Sequence, residues 1–103
     1  MTVLQIPIAS VEPHFVQEND AFGQSFILEF EWIDSENFWM IHVFDDDRSP
    51  LALGIRVQSD WPLYIYHLKS GFIVFMLVAT SLGQVLSRNT LKQYFTLVAY
   101  DAF

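Results

Sequence analysis

A strictly alternating run, SFILEFEWI at residues 25–33, constrains the fold more than any other stretch of this 103-residue chain. Phe26, Leu28, Phe30 and Trp32 fall on one side of the run, and the residues between them fall on the other. Successive side chains of a β-strand point to opposite faces of a sheet, whereas a helix repeats every 3.6 residues. The run therefore predicts a half-buried β-strand.

Two further strands are predicted to follow this one as a meander. The polar residues 34–37, DSEN, have good turn chemistry, and FWMIHVF at residues 38–44 resumes a strand pattern. The sequence DDDRSP then interrupts the pattern, and LALGIRV at residues 51–57 restores it. Gly54 lies inside this third strand and indicates a bulge or a close backbone approach. Residues 25–57 together predict a three-stranded antiparallel meander.

The rest of the chain also favours strands and loops. We expect an edge strand at 3–8 that contains Pro7, a loop at 12–24, a short helical turn or a strand at 63–70, a strand buried on both faces at 72–80, a loop with one helical turn at 81–93, and a last strand at 94–101. These elements amount to six or seven short strands. The sequence therefore predicts an all-β fold, a small antiparallel β-sandwich or barrel, as a single domain over residues 1–103.

The charges divide the chain into an acidic and a weakly basic part. Residues 1–47 hold ten acidic residues and no Lys or Arg, whereas residues 48–103 hold all five basic residues and two acidic ones. Either the strands mix in space and the charges average out, or the molecule has an acidic face that steers it toward a complementary neighbour. The net charge of −7 argues against binding nucleic acid through phosphate contacts.

Two classes of structure are excluded by composition and by the length of the apolar runs. The chain has no cysteine, so it forms neither disulfides nor thiolate metal sites. The most apolar stretch, GFIVFMLVA at residues 71–79, is shorter than the roughly 20 apolar residues that a membrane-spanning helix needs. We therefore expect no membrane span.

Three consecutive aspartates, Asp45, Asp46 and Asp47, are the most conspicuous candidate for a chemical site. A helix–loop–helix calcium loop counted from Asp45 needs glycine at its sixth position and glutamate at its twelfth, where Pro50 and Arg56 stand. A looser cation site that uses Asp45 and Asp47 stays open as an alternative. The strand patterns on both sides instead predict a solvated hairpin turn, because aspartate accepts hydrogen bonds from nearby backbone amides.

The remaining reactive residue types form no recognisable constellation. The three histidines, His14, His42 and His67, lack the spacing of a zinc site, so a structural role is predicted for them. No GxSxG motif occurs, the four glycines are scattered, and Glu29 and Glu31 have the spacing of a solvated strand face. We therefore predict no catalytic residues, no metal, no cofactor and no enzymatic activity.

Aromatic residues are too numerous to be entirely internal. The chain has ten Phe, four Tyr and three Trp, and an exposed aromatic patch is typical of a surface that binds a partner. The candidate interface consists of Trp32, Trp39, Trp61, Tyr64 and Tyr66. The alternative is a binding module, a small β-barrel that holds a ligand or peptide on an exposed aromatic face.

The central segment FEWIDSENFWMIHVFDDDRSPLALGIRV carries a resemblance to a known family. It combines an aromatic-rich strand, a polar turn, the alternating Trp39, Ile41 and Val43, an Asp-rich turn that ends in Pro50, and an apolar strand with Gly54. With WPLYIYHLKSGFIVF and YFTLVAYDA downstream, the chain is similar over residues 25–101 to a family of small tailed-phage baseplate proteins typified by a cyanophage baseplate plug protein.

The turn of this chain departs from the pattern of that family. Such proteins tend to have an Asp-x-Asp-Gly type turn, and here Arg48 and Ser49 replace the glycine. No catalytic residue is carried over, because the family pattern contains none.

The resemblance implies a structural component of a phage contractile-tail baseplate, located in the virion and made in the host cytoplasm. It would lie at or near the central hub or spike and act as a plug or packing subunit through oligomeric protein–protein contacts. The implied partners are hub or tube proteins of the tail and further copies of the chain.

Overall fold

Eight β-strands and one short helix form the part of the chain that the structure, a computed structural model, describes, namely residues 3–68 and 71–102. They are β1 (Val3–Ile6), β2 (His14–Ala21), β3 (Gln24–Ile33), β4 (Phe38–Asp45), β5 (Pro50–Arg56), β6 (Pro62–Leu68), β7 (Gly71–Ala79), α1 (Leu91–Tyr94) and β8 (Phe95–Ala102). Residues 69 and 70, the end of the segment predicted at 63–70, lie outside the described residues.

The strands form two four-stranded antiparallel sheets, in the order β1-β8-β7-β6 and β2-β3-β4-β5. The alternating inner faces of the two sheets pack together, as in a β-sandwich. Phe26 of β3, for example, meets Phe75 of β7 with ring centroids 5.0 Å apart. The predicted all-β fold is therefore confirmed, with one strand more than the predicted six or seven.

The predicted three-stranded meander is confirmed, and a fourth strand, β2, adds to it on the side of β3. Strands β3, β4 and β5 pair as successive hairpins, with Ile33 opposite Phe38 and Phe26 opposite Asp45. The prediction of a loop at 12–24 is wrong, because β2 lies there and pairs with β3 over its whole length. The alternation of β2 is hidden by its polar residues, since its inward positions include the buried Gln17 beside Phe15.

The other predicted elements are found with small shifts of their bounds. The ambiguous segment at 63–70 is a strand, β6, over its described residues, and the N-terminal strand lies at a sheet edge as expected. The single helical turn predicted within 81–93 is α1. Strand β7 is buried on both faces only at its centre, at Ile73, Val74 and Phe75.

The interior is filled by apolar side chains from both sheets. The largest of the fully buried ones are Trp39, Phe26, Phe30, Leu28, Ile41, Ile73, Leu77, Leu91, Leu97 and Val43. In β3 they include three apolar residues of the predicted alternation, and in β4 they are every second residue, from Trp39 to Val43. Burying a side chain of this size contributes about 1.5–3 kcal/mol, so this core is the main source of stability.

The bulge predicted at Gly54 is present in β5. Ile55 pairs with Ile41 and Ala52 pairs with Val43, so two residues of β5 lie opposite His42 alone. Gly54 has φ of +70°, a conformation that a β-carbon disfavours. The register of β5 therefore depends on a glycine at this point.

The charges follow the division into sheets and do not average out. The β2–β5 sheet and its turns, residues 12–57, hold ten of the twelve acidic residues together with Arg48 and Arg56. The rest of the chain holds three basic and two acidic residues. One side of the sandwich is therefore strongly acidic, which favours the second of the two interpretations of the charge pattern.

Candidate interaction surface

Asp45 is the last residue of β4, and Asp46 and Asp47 begin the hairpin turn that leads to β5. Oδ1 of Asp45 accepts hydrogen bonds from the backbone N–H groups of Asp47, at 3.0 Å, and of Ser49, at 2.9 Å. Asp45 is partly buried, and Asp46 and Asp47 are exposed. The sequence prediction of a turn in which an aspartate side chain bonds nearby amides is confirmed.

Carboxylate oxygens of Asp45, Asp46 and Asp47 lie within 4.8 Å of one another, the spacing of a candidate cation site. One oxygen of Asp45 is already occupied by two backbone donors. The described structure therefore assigns Asp45 a clear role within the turn, and the absence of a metal stays a prediction.

Arg48 occupies the left-handed backbone region in this turn, with φ of +64°. Glycine adopts this region without the steric cost that a β-carbon causes. In this chain Arg48 and Ser49 follow the three aspartates, and neither is a glycine. The turn thus places an arginine at a position where glycine would have a lower steric cost.

Two histidine–glutamate pairs lie on the outer face of the acidic sheet. His14 Nε2 is 2.5 Å from Glu29 Oε2, and His42 Nε2 is 3.5 Å from Glu31 Oε2. His42 also accepts a hydrogen bond at Nδ1 from the backbone N–H of Gly54. His42 therefore has the predicted structural role, and Glu29 and Glu31 have histidine partners as well as solvent.

The structure does not bring the three tryptophans together on one exposed face. Trp39 is 1% exposed and donates from Nε1 to the backbone oxygen of Ser87, so it is a core residue and offers no surface to a partner. The prediction that Trp39 belongs to the candidate interface is therefore wrong. Trp39 alternates in phase with Ile41 and Val43, so the strand turns all three side chains toward the core.

The other two tryptophans differ from Trp39 and from each other. Trp32 is partly buried, packs edge-on against Trp39 with centroids 5.5 Å apart, and donates to Asp34. Trp61 lies just before β6 and is 66% exposed. Of the three, only Trp61 presents most of its surface to solvent.

Tyr64 and Tyr66 of β6 point inward and are partly buried against the core. The ring of Tyr66 meets that of Phe26 edge-on at 5.2 Å between centroids, which connects β6 to the opposite sheet. Burial raises the pKa of the Tyr64 hydroxyl, and repulsion from Tyr66 raises it further. Tyr64 and Tyr66 line the side of the sandwich that is formed by the edge strands β5 and β6. Only part of each side chain is available to a partner.

Sequence reasoning missed further exposed hydrophobic residues near these tyrosines and Trp61. Ile65 of β6, Phe72 of β7 and Leu53 of β5 are all exposed large hydrophobic side chains. Ile65 and Phe72 lie on the outer face of the β1-β8-β7-β6 sheet, as does Val3 at its other edge. The lack of charged residues in β6 could have indicated an apolar surface. Because the sequence left a helical turn or a strand open at 63–70, it did not show which side chains face outward.

The opposite side of the sandwich, where β1 and β2 lie, is closed by a buried polar side chain. Gln17 accepts a hydrogen bond from the backbone N–H of Ala9 and donates to the oxygens of Pro7 and Asn19. These bonds fix the β1–β2 connection over the edge of the core. The two sides of the sandwich thus differ, with a polar closure on one and apolar and aromatic side chains on the other.

The described residues contain no helix that is long and apolar enough to cross a membrane. A family model described as "Cyanophage baseplate Pam3 plug gp18" matches residues 3–102, nearly the whole chain. A search of curated proteins found no match.

Proposed function

Because this chain belongs to the cyanophage baseplate plug family, we propose that it is a structural protein of a phage tail baseplate that works by packing against other subunits. The observation that carries this proposal is the family match, which extends from residue 3 to residue 102 and so includes all eight strands and the helix. The family suggests a structural role and no catalysis.

The finer proposal is that the chain acts as a plug or packing subunit at or near the central hub or spike. The partners would be hub or tube proteins of the tail and further copies of the chain. Two features support binding to large partners: the acidic sheet, which favours a basic neighbour, and the apolar side at β5 and β6. The protein would be made in the host cytoplasm and retained in the virion.

Purified particles test the baseplate proposal. A phage that encodes the chain with an epitope tag should yield virions that contain the tagged chain, and antibody labelling in electron micrographs should fall at the baseplate end of the tail. A phage with the gene deleted should produce tails with incomplete baseplates. Mature virions that lack the chain, or labelling along the sheath or on the head, would contradict the proposal.

Co-expression tests the finer proposal. The tagged chain should co-purify with a hub or tube protein from the same tail and not with the sheath protein. Weakening of this association at high salt would support a contribution from the acidic sheet, since salt screens exposed charges. Binding to none of the tail proteins would overturn the proposed partners.

A further inference from the structure

The strands at the four sheet edges of the described structure are not equally protected. An edge strand presents unpaired backbone N–H and C=O groups that another strand can bind, and proteins block such edges with short strands, charges, prolines or bulges. β1 has four residues and is followed by Pro7, and β2 carries exposed His14, Glu18 and Asp20. β5 begins at Pro50 and contains a bulge.

β6 lacks most of this protection. It is seven residues long, has no Asp, Glu, Lys or Arg among residues 62–68, and pairs regularly with β7 from Tyr64 to Leu68. Pro62 and the one irregularity of its register lie at its first residues. In an antiparallel ladder the backbone groups of an edge strand alternate between its partner and the outside, so β6 offers hydrogen bonds along roughly 23 Å.

We propose that β6 pairs antiparallel with β6 of a second copy of this chain, across a two-fold axis beside Ile65. The inference deepens the proposed function, on which it rests, by naming the surface through which two copies associate. Ile65 is the middle residue of β6, so the axis sets it opposite its own counterpart, and the two β1-β8-β7-β6 sheets join into one. Such a contact uses the same surface on both copies, as closed dimers do.

The distribution of charge selects a second copy as the occupant. Two chains of net charge −7 repel each other wherever their acidic surfaces meet. Ten of the twelve acidic residues lie within residues 12–57, whereas β6 is uncharged. Two copies that meet at the edge of β6 therefore do not bring like charges of this strand together.

Apolar side chains next to the edge extend the contact beyond the backbone. Trp61 precedes β6 and is largely exposed, and Ile65 and Phe72 stand on the outer sheet face next to the pairing edge. Across a two-fold axis each of them is present twice. Contacts of Trp61 and Ile65 with the second copy add hydrophobic area that strand pairing alone does not supply, and Phe72 on β7 packs on the same face one strand further in.

Light scattering after size-exclusion chromatography tests the pairing on the isolated chain. The unmodified protein should be a dimer, Ile65→Lys should be a monomer, and Val16→Lys should remain a dimer. Val16 is the matched control because it is 50% exposed on edge strand β2, against 41% for Ile65. Circular dichroism checks that both variants fold. A monomeric unmodified protein, a larger ring, or equal effects of both substitutions would overturn the proposal.

Cross-linking provides a second test that does not depend on Ile65→Lys folding. The chain has no cysteine, so Ile65→Cys introduces a single thiol that should form a disulfide-linked dimer on oxidation. Val16→Cys is the control and should stay largely unlinked. Equal linking in both variants, or none at Ile65→Cys, would overturn the pairing and leave the baseplate role, which is tested on virions, unaffected.

Discussion

The backbone N–H of Gly54 donates a hydrogen bond of 2.9 Å to Nδ1 of His42, at the point where β5 has one residue more than β4. A bulge removes one residue from the regular backbone ladder. The imidazole replaces the missing backbone acceptor and leaves Nε2 to face Glu31. The side chain of His42 thus accepts the hydrogen bond that the bulge of β5 leaves without a backbone acceptor, and it also pairs with Glu31 of β3.

We expect His42→Ala to lower the free energy of unfolding by about 1 kcal/mol, because the bulge loses its hydrogen-bond acceptor. His42→Asn should lose less, since the asparagine oxygen can accept a similar bond. Urea unfolding followed by circular dichroism measures both. His14→Ala is the control on the same face, and its exposed pair with Glu29 should contribute less. An equal loss in His14→Ala and His42→Ala would contradict the role assigned to the bulge.

The sequence predicts the parts of this fold where local pattern and burial agree. The alternation of Phe26, Leu28 and Phe30 gave the correct inner face of β3, and Gly54 gave the position of the bulge. β2 was not predicted because its polar residues have a low strand propensity. Its pairing with β3 and the hydrogen bonds of Gln17 outweigh that propensity in the folded chain. Tertiary contacts of this kind leave no local trace in the sequence.

The candidate interface was predictable only in part. Trp39 lies in phase with Ile41 and Val43, so its burial could have been read from the same alternation that predicted the strand. The exposure of Trp61 could not, because it depends on how the chain passes from one sheet to the other between β5 and β6. The unprotected edge of β6 depends on the order of strands in the sheet, which no local pattern contains.

Arg48→Gly should stabilise the protein by about 1 kcal/mol, because glycine removes the steric cost of a β-carbon at positive φ. Ser49→Gly is the matched control at the neighbouring position and should bring no gain, since the φ of Ser49 is not positive and added chain flexibility disfavours folding. Thermal unfolding of the two variants measures the difference. A loss of stability in Arg48→Gly would contradict this prediction. It would indicate that contacts of the arginine side chain stabilise the fold by more than the positive φ destabilises it.

The Asp-rich turn should depend on Asp45 and not on Asp46. Asp45→Ala removes the acceptor of two backbone hydrogen bonds and should cost about 1–2 kcal/mol, whereas Asp46→Ala should change stability by less than about 0.5 kcal/mol. Urea unfolding of both variants is the measurement. Equal losses in the two variants would contradict the role assigned to the hydrogen bonds of Asp45, and a gain in stability in both would show that repulsion among the three carboxylates outweighs those bonds.

Calcium should not stabilise the folded chain specifically, because the turn already engages Asp45 with backbone donors. A ligand that binds only the folded state raises the midpoint of thermal unfolding as its concentration rises. Melting curves in calcium chloride should therefore match those in magnesium chloride of equal ionic strength. A rise that is specific to calcium and disappears in Asp45→Ala would contradict the prediction of no metal and establish the looser cation site.

Trp39 and Trp61 should respond in opposite ways to removal of the ring. Trp39→Ala should cost about 3–5 kcal/mol, since it leaves a cavity in the core and removes the hydrogen bond to Ser87. Trp61→Ala should change the free energy of unfolding of the monomer by less than about 0.5 kcal/mol. Urea unfolding in dilute solution provides both values. A stable Trp39→Ala variant would contradict the placement of this ring in the core.

The stability of the protein should fall at alkaline pH in a way that depends on Tyr64. Burial, with repulsion from Tyr66, raises the pKa of Tyr64 above its ordinary value of 10.0, so the folded chain holds this proton more tightly than the unfolded chain. The resulting stabilisation is fully present below the unfolded pKa and is lost as pH rises through the folded pKa. Melting temperatures between about pH 8 and pH 11 should therefore decline less in Tyr64→Phe than in the unmodified chain. Tyr100→Phe controls for loss of a tyrosine hydroxyl elsewhere, and an equal change in both variants would contradict the assignment to Tyr64.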